Sequence, residues 1–175
     1  MAYIQLDENL PGLLSLLEYR HDTAKPIREL TQFLLRGPSS LSEGERELIA
    51  ALVSYKNQCK FCTASHTALA DLFLGEPFTA AEMKHNLKTV LIDEKLRALL
   101  QIAALVQQNG QNVTNEAIEK AKAEGATDIE IHDTVLIASL FSMCNRYVDG
   151  LNTFTPSQPA FYREMAEKLA TTGYA

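Results

Sequence analysis

The chain has 175 residues, 46% of them hydrophobic, with 22 acidic against 16 basic side chains and a formal net charge of -6. That is enough length and apolar surface for one domain with its own core, so the fold does not need disulfides or a structural metal to hold it. The basic residues are scattered singly, a field that attracts neither nucleic acid nor anionic membrane, and the most hydrophobic run, "TVLIASLF", is far shorter than the roughly 20 residues that cross a bilayer.

Apolar residues recur three and four apart between Gly and Pro breaks, while β-type alternation is scarce, so the expected fold is all-α. The N-terminus, "MAYIQLDENLPGLLSLLEYR", has no basic stretch ahead of its short apolar segment and does not read as a signal peptide, which points to the cytoplasm. A short helix is expected after Pro11-Gly12. A second covers "AKPIRELTQFLLR", with Pro26 in its first turn and Gly37-Pro38 closing it, and the two make an N-terminal helical arm, 1–37.

Ser42 followed by Glu45 is a capping box that starts a helix running to about Lys56. Asn57 and Gln58 break the pattern, and a new helix over "CKFCTASHTALADLFL" ends at Gly75 and Pro77. Thr79 and Glu82 repeat the box ahead of a helix to about Lys88. Another helix spans "DEKLRALLQIAALVQQ" to Asn109-Gly110, and Thr114 caps a shorter one ending near Gly125. Thr127 and Glu130 open "IEIHDTVLIASLFSMCNRYVDGL", which is apolar on more than one face and therefore belongs in the core or at a subunit contact. Pro156 and Pro159 introduce the last helix, so that a core of 38–155 is followed by a C-terminal helix in 156–175.

The chemistry concentrates in one helix. Cys59 and Cys62 lie three apart on one face, within reach of a disulfide, and His66 continues the same stripe four residues further on. A helix start favours thiolate through its unpaired N–H groups and dipole, and an imidazole there can take a thiol proton, so a lowered thiol pKa is expected. Redox chemistry, a metal site and inert packing are all open to this pattern. Zinc is poorly served, because only Cys59, Cys62 and His66 cluster locally, with His85, His132 or Cys144 as distant fourth ligands. Glu47, twelve residues before Cys59, either points inward as a proton-holding carboxylate or faces solvent beside Glu43 and Glu45. Cys144 reads as core packing, Tyr55, Asn145, Arg146 and Asp149 as pocket or contact residues, and His21, His85 and His132 as surface positions.

Glu47, eleven residues, Cys59-Lys60-Phe61-Cys62, three residues and His66 reproduce E-x11-C-x2-C-x3-H, the signature of the alkylhydroperoxidase D-like family. The surrounding "LSEGERELIAALVSYKNQCKFCTASHTALA" and the later "NRYVDGLNTFTP" resemble its peroxidase-related branch, within the carboxymuconolactone decarboxylase superfamily. The resemblance implies a helical bundle, assembly as a trimer or hexamer, and reduction of alkyl hydroperoxides or hydrogen peroxide with no cofactor. It further implies Cys62 as peroxidatic cysteine, Cys59 as resolving cysteine, Glu47 and His66 as a proton relay through water, and an external dithiol reductant such as a lipoyl domain or thioredoxin-like protein. Phe61 departs from it, since alkylhydroperoxidase D has a histidine before its second cysteine. The competing expectations are a dithiol oxidoreductase or redox sensor with little peroxidase activity, a non-catalytic scaffold with zinc on the cysteine pair, and lactone decarboxylation, which gives the cysteines no role.

Overall fold

The computed structural model describes residues 1–75 and 92–174. Eight α-helices occur among them: α1 (Leu13–Tyr19), α2 (His21–Arg36), α3 (Glu43–Lys56), α4 (Lys60–Leu74), α5 (Glu94–Gln108), α6 (Asn115–Ala123), α7 (Asp128–Gly150) and α8 (Pro159–Thr172). A 3-10 turn at Gly110–Asn112 joins α5 to the approach of α6. The expected all-α architecture is observed, and none of the described helices is long and apolar enough to cross a membrane. The Thr79–Glu82 box, its helix and His85 lie outside the described residues.

The helix boundaries follow the local chemistry read from the sequence. Ser42 and Glu45 form the full capping box of α3, and Thr127 and Glu130 that of α7. Asp93 and Thr114 cap α5 and α6 through their side chains. Helix α2 begins three residues earlier than expected, at His21, with Pro26 inside it. Arg46, buried in α3, donates to the carbonyls of Leu34 and Gly37 at 3.0 and 2.9 Å, satisfying acceptors that the end of α2 leaves unpaired.

Helices α3 and α4 form the tightest pair, and the approach is close enough to require glycine: a Cβ on Gly44 would fall 2.7 Å from the Leu74 side chain. The main core joins α3, α5 and α7 through Leu48, Ile49, Leu52, Leu99, Ile102 and Ile137, with Leu34 and Leu35 of α2 closing one side. A smaller apolar cluster holds Leu16, Phe61, Val148 and Tyr162 around Cys59 and Cys62, so the N-terminal arm and α8 both pack against the cysteine helix. Gly12, with φ +55°, lies directly over Phe61; a Cβ there would sit 2.2 Å from the ring.

Glu130 ties three elements together. Beyond capping α7 it accepts from Ser40 and from Lys95 of α5, both at 2.9 Å. Burial alone would raise its pKa, but the Thr127 backbone N–H, Lys95, Ser40 and the Thr127 hydroxyl together bring it down to about 2. Because the folded value lies below the ordinary 4.5, its contribution is complete above that pH and disappears as the pH falls toward 2. Urea unfolding of wild type and Glu130→Gln at pH 7 and pH 3 should therefore show a gap of roughly 2–3 kcal/mol at pH 7 that narrows at pH 3. A gap independent of pH would contradict this reading.

Candidate active site

Cys59 and Cys62 are positioned by the end of one helix and the start of the next. After α3, Asn57 stays in a helical conformation, Gln58 turns with φ 62°, and Cys59 becomes the extended N-cap of α4. The Cys59 N–H returns to the Ser54 carbonyl at 3.0 Å, which anchors the turn to α3. Both cysteines are free and buried, Cys59 with 0% and Cys62 with 2% of its surface exposed.

The turn is also held by side-chain amides. Gln107 donates to Asn57 at 2.8 Å, Asn57 donates to Asn145 at 2.9 Å, and Asn145 donates to the Ser54 hydroxyl at 3.0 Å. Every amide in this chain is oriented by its neighbour, and it ends beside the cysteines, where the Asn145 amide acts to lower the Cys62 pKa. Asn145 is thus a buried site residue, whereas Arg146 and Asp149 are exposed.

Glu47 points inward and has no exposed surface. Its Oε2 accepts from the Nδ1–H of His66 at 2.6 Å, and its Oε1 accepts from Arg36 Nη2 at 2.6 Å and from the Tyr174 hydroxyl at 2.7 Å. Glutamate and histidine therefore meet directly, where the family resemblance implied a relay through water. Burial pushes Glu47 up, but the charge and hydrogen bond of His66, then Arg36 and Tyr174, outweigh it and leave the carboxyl below its ordinary range. Tyr174 is pushed well above the usual phenol value by burial and by the charge of Glu47, so it stays a donor.

The His66 ring packs edge-on against Phe141, with centroids 4.3 Å apart, and stacks at 6.4 Å on Tyr174. Together with Cys62 and Cys144 it lines a cavity of about 70 Å³ whose walls are mostly apolar, among them Leu14, Leu69 and Leu169, with Arg28, Thr31, Ser65 and Tyr174 as polar members. Cys59 is not in this wall. A space of that size holds a molecule of a few heavy atoms.

The expected lowering of the thiol pKa is corrected by this packing. Cys62 is pushed well above its ordinary value by its hydrogen bond to Cys59, then by burial and the neighbouring Cys59 and Cys144 sulfurs, with the Asn145 amide acting the other way. Desolvation and sulfur–sulfur coupling outweigh the helix start. Cys144 is a buried core thiol, as its apolar neighbours suggested, and burial raises it to about 12.

The remaining candidates fall outside the site. Phe61 packs against Tyr162, with centroids 6.1 Å apart, and its ring has no group that can hold a proton. His132 is exposed beside Asp133, and His21 beside Glu18. No group of three or more His, Cys, Asp or Glu among the described residues has a geometry suited to a metal ion. Arg36 and Tyr174 escaped sequence reasoning: Arg36 resembles any helix-terminal cation, and no spacing rule links residue 174 to residue 47.

The described residues form an all-helical fold like that of solved proteins described as alkylhydroperoxidase D-like or peroxidase-related. The model of the carboxymuconolactone decarboxylase family matches residues 22–71, the segment that carries Arg36, Glu47, both paired cysteines and His66. An uncharacterised peroxidase-related protein from Ralstonia eutropha JMP134, described as an alkylhydroperoxidase AhpD core, superposes with TM-score 0.79 at 24% identity, covering 89% of this chain and 80% of that one. A second peroxidase-related protein, from Silicibacter sp. TM1040, gives TM-score 0.78 at 24% identity, with 87% and 78% coverage. A protein of unknown function from Agrobacterium tumefaciens gives 0.70 at 20% identity, with 84% and 99% coverage. No curated protein matches the chain significantly. The likenesses establish the fold, and with the family match they support the alkylhydroperoxidase D-like resemblance read from the sequence.

Proposed function

We propose that the protein is a cysteine peroxidase that reduces hydrogen peroxide or alkyl hydroperoxides through a Cys59–Cys62 dithiol/disulfide cycle. The observation that carries this reading is that Cys62, and not Cys59, shares a cavity with His66, while the other side of that imidazole is held by a buried carboxylate. Nδ1 is the donor to Glu47, which leaves Nε2 to accept the thiol proton. The Cys62 sulfur then attacks the nearer peroxide oxygen, the O–O bond breaks, and the leaving alkoxide takes a proton to depart as alcohol, or as water from hydrogen peroxide. Cys62 is oxidised to a sulfenic acid. Cys59 attacks that sulfur, water leaves, and the disulfide closes.

Each turnover consumes two thiols, which an external dithiol must restore by exchange. A lipoyl or thioredoxin-like protein in the cytoplasm suits that role, and Phe33, Ile129, Met143 and Phe154, all large and exposed, suit assembly into a trimer or hexamer.

The raised Cys62 pKa favours a second reading, a dithiol oxidoreductase or sensor with slow peroxide chemistry. Stopped-flow mixing of reduced protein with hydrogen peroxide and with cumene hydroperoxide, followed by thiol counting, separates the two. The peroxidase reading expects rapid loss of two thiols per peroxide, with Cys144 unmodified. Reaction no faster than that of a small free dithiol would reject it and leave the oxidoreductase.

A further inference from the structure

Catalysis by the cavity histidine depends on which ring nitrogen carries the proton, and that is set by Glu47. The carboxylate is fully buried, and its two oxygens have separate duties. Oε2 faces His66 Nδ1, while Oε1 is held from two sides by groups distant in sequence, the Arg36 guanidinium of α2 and the Tyr174 hydroxyl beyond α8, at 2.6 and 2.7 Å.

These two donors are themselves held. The Arg36 guanidinium lies 5.0 Å from the centroid of the Tyr174 ring and 4.6 Å from that of Phe73, and the Tyr174 N–H donates to Gln32 Oε1 at 2.7 Å. The tyrosine ring also stacks on the His66 ring and forms part of the cavity wall. A carboxylate with one donor can rotate or take up a proton; one pinned on both oxygens by a cation, a phenol and an imidazole can do neither easily.

We propose that Arg36 and Tyr174 are positioning residues: by clamping Oε1 they hold the Glu47 carboxylate against His66, keep the imidazole proton on Nδ1 and reserve Nε2 for the thiol. This deepens, and rests on, the cysteine-peroxidase reading, because it assigns the His66 base a structural source for its orientation. The charged and titratable groups around the pair are Arg36 and Arg28 of α2, Cys62 of α4, Cys144 of α7 and Tyr174, with Glu43 of α3 3.9 Å from Arg36.

The test uses the full chain and two readouts that need no peroxide. One is the tautomer of His66 from its ring nitrogen-15 shifts; the other is the pH profile of Cys62 alkylation by iodoacetamide, read by mass spectrometry. Tyr174→Phe keeps the ring and removes only the hydroxyl. It should admit the Nε2–H tautomer and slow alkylation at pH 7 by roughly tenfold, as expected for losing one hydrogen bond to a buried charge. Arg36→Gln should do more, and Arg36→Lys, which keeps a cation, should restore most of the wild-type profile.

Tyr174→Phe or Arg36→Gln with a lower Tm but an unchanged tautomer and alkylation profile would overturn the proposal, since that is the signature of packing alone. Should Arg36→Gln not fold, Tyr174→Phe decides by itself. Shifts of the expected kind in a protein that ignores peroxide would uphold the clamp and reject only the peroxidase reading.

Discussion

Glu47→Gln is expected to slow the reaction of Cys62 with peroxide by about a hundredfold to ten-thousandfold, and to destabilise the protein by about 3–5 kcal/mol. The kinetic loss follows from the geometry. The amide has no charge to offset an imidazolium. Because Arg36 and the Tyr174 hydroxyl both donate to one of its positions, it keeps its carbonyl there and turns its NH₂ to His66, so the proton is no longer confined to Nδ1. The stability loss has a different source: Arg36, with only 6% of its side chain exposed, keeps its charge when its buried partner is gone.

The sign of the pH dependence separates the two effects. Because Glu47 is depressed below its ordinary 4.5, wild type retains this contribution throughout the neutral range and loses it as the pH falls through the lower folded value. Glu47→Gln lacks it at every pH, so the two unfolding curves should converge in acid. Stopped-flow kinetics and urea unfolding on the same preparations measure both quantities. A variant that reacts within twofold of wild type would remove Glu47 from the mechanism even if its stability fell as expected.

The second large effect distinguishes the two cysteines. Cys62→Ser should reduce peroxide consumption to the level of buffer, since no other thiol shares the cavity with His66 except Cys144, whose burial holds it protonated to about pH 12. Cys59→Ser should still react once. Its sulfenic acid on Cys62 can be trapped with dimedone and identified by mass, and no disulfide follows because the sulfur that would close it is absent.

Removing Cys59 has a second consequence. Serine keeps a hydrogen-bonding hydroxyl beside Cys62 and removes the second sulfur, so the first step is expected to survive the substitution. Dimedone adduct on Cys59 in the Cys62→Ser protein, with none on Cys62 in Cys59→Ser, would reverse the assignment and leave the His66–Glu47 pair without a partner thiol. Both substitutions place a hydroxyl among apolar neighbours, so a modest loss of stability is expected and should be measured alongside.

The pKa of Cys62 shows how a sound local argument is overruled by packing. A helix start does favour thiolate, and Cys62 is in the first turn of α4. The sequence alone does not reveal that Phe61, Leu16 and Tyr162 close over the pair, or that a second sulfur hydrogen-bonds to it. The raised pKa keeps the proton on the Cys62 sulfur, so the proposed peroxidase cycle calls for a base that removes it during attack. The Asn145 amide, fixed by Ser54 directly and by Gln107 through Asn57, acts in the compensating direction.

What the sequence determined by itself is short in range. Capping boxes at Ser42–Glu45 and Thr127–Glu130, glycine at residue 75 and the break at Asn57–Gln58 place the helix ends, because each rests on hydrogen bonds spanning at most four or five residues. The alignment of Cys59, Cys62 and His66 along one helix stripe is legible for the same reason, being set by the 3.6-residue turn. The tertiary structure alone decided that Glu47 is buried, that His66 meets it directly, and that Arg36 and a tyrosine 127 residues away complete its shell. Those contacts depend on how α2, α3, α4 and the segment beyond α8 pack. Periodicity assigns a residue to a face of its own helix, but which side chain that face meets depends on desolvation and charge pairing across the assembled core.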